Sequence, residues 1–584
     1  MLSTPPSSIE VGAAQTQSSA PSWLPRAVPA IARDTWSGLA LLSCVGVVLF
    51  AIRLTGAPNL LENEFRLGAC VLDVLQHGNW LCPHDVLSNT DKPPMLTWLT
   101  ALASWPLGRV TRFTLYLPTA AATLLTAWIV AVAGRRRFGG RAGIFGGLAF
   151  LLSHVAASQM ATARWDGLFA LTVTAAALAA FRAWMLGGGW TLFWLAAAVA
   201  TLTKGPLGVL IGVLGLCAVV WERLTGRPKP LEGSHATGIA LFLLVTVGWF
   251  LLAYRQVGPH LVQNMFVDEF VGHMIQHRLA HRFVKPLGDF TWNFAPWSLF
   301  AIAGLVRVVV RPSLDHEVRR FERFLACWAV LGVLLFCLSP HNQARLLAPM
   351  IPPGALLAGR ELDRLARPLS ARAVAAVTAA TIAVMLGFFV WEFHHRELRR
   401  PAVRQTIALE GLARRVRTAA GEDLPLTYVA DSPFALQLAL NTMRPPVSVD
   451  EAAALLRGDT AAFVVTAHLP KLFRALGTGG PPVHLVARAD DHGVPYLFVV
   501  SNRPALATYP RIATRVGPLL VTLSNVRLGP TWDNVLDLGR GQDAGGAVIE
   551  NVSTEPQDVR VRVAGGDGES RRLVPGESWR IDVP

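Results

Sequence analysis

The sequence predicts a polytopic α-helical membrane protein that ends in an extracytoplasmic α/β region and a small β-sandwich. Three observations predict it. Apolar runs of bilayer-spanning length recur from residue 37 to residue 391 and then cease. Only 16% of residues are charged against 52% hydrophobic, where an ordinary soluble domain carries about 25% charged residues. The arginines gather in short loops between the apolar runs instead of spreading over a surface.

Residues 1–36 open with "MLSTPPSSIEVGAAQTQSSAPS", a polar, Pro- and Ser-rich stretch without a cleavable signal sequence. It reads as a disordered cytoplasmic tail. Spans are expected at 37–54, 113–133, 143–160, 167–186, 190–203, 205–221, 236–254, 293–310, 324–338, 345–358 and 373–391. That is about eleven, within a range of about 11–13, because the shortest runs are ambiguous by length. The apolar segment 93–108, "PPMLTWLTALASWPLG", is short and reads as an interfacial helix lying on the membrane.

The charge pattern tests this order. With the N-terminus in the cytoplasm, the inside loops are "GRRRFGGR", "ERLTGRPKP", "RPSLDHEVRRFER" and "GRELDRLARPLSAR". Each is Arg-rich, as cytoplasmic loops of membrane proteins are. Counting 93–108 as a span would reverse every later loop. The formal net charge of +14 therefore reflects topology, and no nucleic-acid partner is expected.

From 392 the chain changes character. Strand-like and helix-like runs alternate over 392–504, predicting a small extracytoplasmic α/β domain. Short β runs split by Gly, Asp and Pro over 505–584 predict the β-sandwich. Neither carries a catalytic constellation, so both read as packing or acceptor-docking modules. Cys70 and Cys82 share the first outer loop, and an oxidising compartment would permit a disulfide there.

The polar residues of the other face form the candidate site. The first outer loop supplies Glu62, Glu64, Arg66, His77, His84 and Lys92; "ARWDG" supplies Arg164 and Asp166. Lys204 sits between two short spans, and the loops 255–292 and 339–345 add Arg282 and Arg345. Charges near a bilayer are costly unless they face a cavity or a partner. A carboxylate can take a proton from a hydroxyl, and cationic side chains can hold a phosphate and stabilise its growing charge. Each residue also has an ordinary alternative. Asp166 with Arg164 makes a plain ion pair, Lys204 a helix-end cap, and Lys92 a snorkelling anchor. His273, His277 and His281 recur at i, i+4 and i+8, which is metal-ligand spacing but equally a polar interfacial stripe.

The stretches "ENEFRLGACVLDVLQHGNWLCP", "DKPPMLTWLTALAS", "ARWDGL", "LTKGPLG" and "PWSLF" occur in that order. Over about residues 40–360, and on into the C-terminal region, the chain resembles the membrane glycosyltransferases related to the aminoarabinose–lipid A transferase and the protein O-mannosyltransferases. The resemblance implies a GT-C fold. It also implies inverting transfer of a sugar from a polyprenyl-phosphate donor to a lipid, glycan or protein acceptor, at the extracytoplasmic side. The family's Asp-Glu pair falls on Asn63 and Glu64. Asn63 takes no proton at neutral pH, so either Glu64 or Glu62 does that work, or the acceptor needs no base. Lys92 matches the lysine expected on the donor phosphate. Asp166 matches the acid of the second outer loop, and Arg282 and Arg345 match basic positions near the phosphate. The Glu-His that usually precedes Arg282 is absent, and the family tyrosine after Arg345 is Leu346.

The expected function is therefore a glycosyltransferase in a bacterial inner membrane, with its C-terminal domain in the periplasm. Glu64, Glu62 and Asp166 orient or deprotonate the acceptor. Lys92, Arg66, Arg282, Arg345 and Lys204 hold the donor phosphate. No cofactor is required; a divalent metal is an open alternative without support. Two other classes compete. A transporter of lipid-linked sugars would place charges mid-span and show paired repeats, whereas here they lie at span ends. A non-catalytic glycan-assembly protein is favoured only by Asn63.

Overall fold

The computed structural model describes residues 28–58, 65–85, 92–226, 229–263, 265, 283–338, 343–420, 426–430, 434–477, 483–491, 494–503, 512–516, 518–524, 526–528, 535–540, 545–563 and 568–583. The membrane portion begins with α1 (Val28–Thr55), α2 (Phe65–His77), α3 (Met95–Ser104), α4 (Arg112–Phe138), α5 (Gly140–Leu151), α6 (His154–Gln159) and α7 (Asp166–Leu186). It continues with α8 (Trp190–Lys204), α9 (Leu207–Val213), α10 (Ala218–Leu224), α11 (Ala236–Val257), α12 (Pro259–Val262), α13 (Lys285–Asn293) and α14 (Trp297–Val310). α15 (His316–Leu338), a 3-10 turn (Ala344–Met350), α16 (Ile351–Ala366) and α17 (Ala371–Trp391) complete it.

Among the described residues, seven helical segments are long and apolar enough to cross a membrane, and an eighth if α13 and α14, bent by 115°, form one span. The chain is a multi-pass membrane protein. Three expected spans differ from the rest. α5, α8 and the 3-10/α16 segment are helical but short. α5 packs against α4, and α16 against α5, through glycines, and so both face protein rather than lipid: a Cβ on Gly134 would lie 2.9 Å from the Gly143 Cα, and one on Gly359 would meet the Gly146 backbone. α17 is the opposite case. Only its Phe389 is buried, as expected of a helix facing hydrocarbon. α3 is ten residues long, about 15 Å, which is half a bilayer.

One end of the bundle is bound by ion pairs among all four Arg-rich loops. Arg137 meets Glu317 at 2.6 Å, Arg141 meets Asp363 at 2.9 Å, and Arg360 meets Glu322 at 2.9 Å. Glu222, fully buried, takes Arg320 at 3.2 Å and Arg323 at 2.5 Å. Loops that share ion pairs lie on one face, as the charge pattern predicts. At the opposite end Arg53 of α1 meets Glu397, just past α17, at 2.9 Å and stacks on Phe393.

Beyond α17 come α18 (Pro401–Ala420), β1 (Leu426–Tyr428), α19 (Phe434–Leu440), α20 (Val449–Arg457), β2 (Phe463–Thr466), α21 (Leu469–Leu476), β3 (His484–Asp491) and β4 (Val494–Ser501). The sheet order is β1-β2-β4-β3, with β1 parallel to β2 and the other pairs antiparallel. Its faces are apolar on both sides, Val465, Val499 and Ala487 against α18 and Val464, Val500 and Leu485 against α20 and α21. The last unit comprises β5 (Ile512–Val516), β6 (Leu519–Ser524), β7 (Val526–Leu528), β8 (Val535–Arg540), β9 (Gly545–Asn551), β10 (Gln557–Val563), β11 (Glu569–Leu573) and β12 (Ser578–Val583). They form two four-stranded sheets, β12-β9-β6-β5 and β11-β10-β8-β7. Alternate residues of both sheets, such as Val521, Ile549, Leu536 and Val561, meet in one core, which makes a sandwich. The six cysteines are unbridged, Cys70 and Cys82 included.

Candidate functional site

The site is assembled from helix ends. Asp166 is the first residue of α7, where the helix dipole favours a negative charge. Lys204 is the last residue of α8, where it favours a positive one. Gly205 then takes φ +86°, a conformation that suits glycine, and Pro206 stands at the N-cap of α9. Arg345 lies in the 3-10 turn that leads into the Pro-Pro start of α16. α7 packs on both α8 and that turn, so three distant stretches deliver their charges to one spot.

There Lys204 Nζ donates to Asp166 Oδ1, and Arg345 Nε lies 3.6 Å from Asp166 Oδ2. Asp166 is 4% exposed and Arg164 stands nearby. The Lys204 ammonium also lies 5.6 Å from the centre of the Phe169 ring. Both oxygens of the carboxylate are thus engaged by cations. Among the described residues, three cationic side chains gather around one buried acid, an arrangement that suits an anionic ligand. As arranged, Asp166 holds the cations in position.

The other sequence candidates fall as follows. Lys92 is half-buried just before α3, and Met95 of that helix shares an apolar cluster with Leu202, two residues before Lys204. Arg66 is half-buried in the first turn of α2, and Leu67 beside it packs with Ala163 and Leu168, which flank Asp166. Glu62, Glu64, Asn63 and Arg282 lie outside the described residues, as does the stripe His273, His277 and His281.

Sequence reasoning missed Asp73. This aspartate of α2 is fully buried, and its carboxylate pairs with His77 Nδ1 at 2.9 Å. It also accepts from Asn79 Nδ2 at 2.9 Å and from the His84 backbone N–H at 3.1 Å. It shapes the "HGNWLCPH" loop that carries the chain toward Lys92. The i, i+4 Asp-His spacing was the available signal. Glu392 was missed as well. It is 2% exposed, accepts from Arg396 Nη1 at 2.9 Å, and lies 3.8 Å from His154 Nε2.

Comparison with known proteins adds to this geometry. The family model described as dolichyl-phosphate-mannose-protein mannosyltransferase matches residues 91–250. An undecaprenyl phosphate-alpha-4-amino-4-deoxy-L-arabinose arabinosyl transferase of Pseudomonas paraeruginosa is 27% identical over 342 residues, 56% of this chain and 60% of that protein. A protein of the same name from Edwardsiella ictaluri is 26% identical over 344 residues, with the same coverage. The chain thus aligns with about 60% of the length of these relatives. Among solved structures, ArnT from Cupriavidus metallidurans bound to undecaprenyl phosphate matches with a TM-score of 0.63 at 21% identity. The match covers 81% of this chain and 98% of that one, which shows the fold.

Proposed function

We propose a glycosyltransferase that moves a sugar from a polyprenyl-phosphate donor to a lipid, glycan or protein acceptor, in keeping with the similarity to the arabinosyl transferases and the shared fold. It works in the bacterial inner membrane, with the α/β and sandwich units in the periplasm. The observation that carries this reading is the convergence of Lys204 and Arg345 on Asp166, opposite the ion-paired end of the bundle.

The chemistry is a displacement at the sugar carbon bonded to the donor phosphate. An acceptor oxygen forms the new bond, the carbon–oxygen bond to phosphate breaks, and the configuration inverts. The departing phosphate gains negative charge. Lys204 and Arg345, with Lys92, Arg66 and Arg282, stabilise that charge. Asp166 positions Lys204 and Arg345. A hydroxyl acceptor gives its proton to Glu64 or Glu62; a phosphate acceptor, already anionic, needs no base. These side chains supply the positive charge the leaving group needs, so we propose no cofactor.

The test is overexpression of the wild type, Lys92→Ala, Glu64→Gln and Asp166→Asn, with extracted lipids and glycans compared by mass spectrometry. A species heavier by one sugar unit should appear with the wild type and vanish with Lys92→Ala. Full transfer by both Lys92→Ala and Glu64→Gln would sink the assignment. Polyprenyl-phosphate sugars that change sides without any new glycan would point to a transporter.

A further inference from the structure

A cleft of about 410 Å3 opens at the seam between the membrane helices and the α/β unit. Arg109, Arg112, Glu410, Arg414 and Arg417 line it, four guanidinium groups to one carboxylate. Glu410, Arg414 and Arg417 stand at i, i+4 and i+7 on α18, hence on one face. Arg112 opens α4 and donates through Nη2 to the Gly56 carbonyl at 3.0 Å. Its Nε is buried with no partner among the described residues.

The two walls are tied together. Asn441, at φ +54°, accepts from the Val110 N–H at 2.6 Å, and its own carbonyl accepts from Gln76 Nε2 at 2.8 Å. Burial pushes the Glu410 carboxyl up from its ordinary value, against the pull of Arg112 and Arg414. Among the described lining residues, guanidinium groups outnumber carboxylates four to one.

The rim decides what kind of anion fits. Arg112 begins a membrane-spanning helix, so the cleft lies at the depth of lipid headgroups. Trp105, Leu107 and Phe113, close to Arg109 and Arg112 along the chain, are 58%, 54% and 47% exposed. Aromatic side chains next to arginines are the usual composition of a membrane interface. A soluble anion would use the guanidinium groups and leave these apolar groups in water.

We propose that this cleft is a second, non-catalytic site that seats the phosphate of an anionic membrane-lipid headgroup, with the acyl chains running past Trp105, Leu107 and Phe113. The guanidinium fork matches phosphate oxygens two at a time. The site does not rest on the sugar-transfer reading.

The test uses the purified full chain in neutral detergent and native mass spectrometry, with phosphatidylglycerol or phosphatidylcholine added. The wild type should retain phosphatidylglycerol about tenfold better than phosphatidylcholine, a modest difference in binding free energy. Arg109→Ser with Arg414→Ser should abolish that preference. Arg311→Ser with Arg372→Ser, which removes equal charge at the opposite end of the bundle, should keep it. Equal retention of the two lipids by the wild type, or an unchanged preference in the Arg109/Arg414 variant, would overturn the proposal. Displacement of phosphatidylglycerol by inorganic phosphate at equal concentration would also overturn it, in favour of a free-anion pocket. Should the double variant fail to fold, Glu410→Gln decides alone. Stronger phosphatidylglycerol retention supports the site, and unchanged or weaker retention overturns it.

Discussion

Asp166 illustrates how much a single side chain depends on its neighbours. Replacing it with Asn removes the carboxylate that Lys204 and Arg345 share. The loss should fall at the low end of the about 3–5 kcal/mol typical of a broken buried pair, because Lys204 and Arg345 are 19% and 28% exposed. A double-mutant cycle of Asp166→Asn with Lys204→Met, read by thermal unfolding in detergent, should show the combined loss below the sum of the single losses. Strict additivity would mean the two side chains are not coupled. Tyr428 gives a pH-dependent case outside the membrane. Burial pushes its hydroxyl up to about 12, and it shares a hydrogen bond of 2.9 Å with Thr442. The folded chain keeps this proton more tightly than the unfolded one, whose tyrosines ionise near about 10. The stability from Tyr428 is therefore complete below pH about 10 and is lost as pH rises toward about 12. Tyr428→Phe should cost about 1 kcal/mol at neutral pH and flatten that alkaline loss. An unchanged alkaline slope would remove Tyr428 as its source.

Elements meet here through small residues and through one buried acid. Gly143 of α5 sits so close to α4 that an added Cβ would lie 2.6 Å from the Arg135 backbone nitrogen. Backbone cannot yield as a flexible side chain can. Gly143→Val should therefore destabilise the bundle by about 1–3 kcal/mol, the usual cost of overpacking, seen as a lower melting temperature in detergent. The same close approach through small residues is a general device of membrane helices. Asp73 works differently, by holding a loop. Asp73→Asn keeps the shape but loses the charge that His77, Asn79 and the His84 N–H are arranged around. Proteolysis of intact membranes should then cut within residues 78–85 more quickly than in the wild type. Equal cutting rates would show that the loop holds without Asp73.

At the scale of the whole molecule, the ion-paired end and the Asp166 end define two faces of one membrane protein. In a cysteine-free background, Leu314→Cys and Arg580→Cys report on the two sides. Both positions are exposed, at 94% and 75%. A membrane-impermeant maleimide should label position 580 in intact spheroplasts and position 314 only after permeabilisation. The reverse pattern would invert the topology and move the charge cluster to the cytoplasm. The α/β unit is held to the membrane portion by packing as well as by Asn441. Gly68 of α2 leaves room for Leu438 of α19, whose Cδ2 would lie 2.5 Å from a Cβ at that position.

The sequence by itself determined the membrane class, the order of the helices and the face to which each arginine-rich loop belongs. Hydrophobic length and charge asymmetry are local properties, legible one segment at a time. It also marked Asp166, Lys204 and Arg345 as charges at helix ends. It did not say that they meet, because helical periodicity does not reveal which helix a face will touch. Asp73 and Glu392 stayed hidden although His77 and Arg396 stand only four residues on from them: an i, i+4 pair in sequence does not reveal that the fold buries its acid. The short α5, α8 and α16 read as ordinary spans because the sequence records apolar length, not whether lipid or protein covers it. The Arg109–Arg417 cleft is likewise a product of two segments about three hundred residues apart. Only the folded arrangement brings them together, since electrostatic and packing partners are chosen by distance in space.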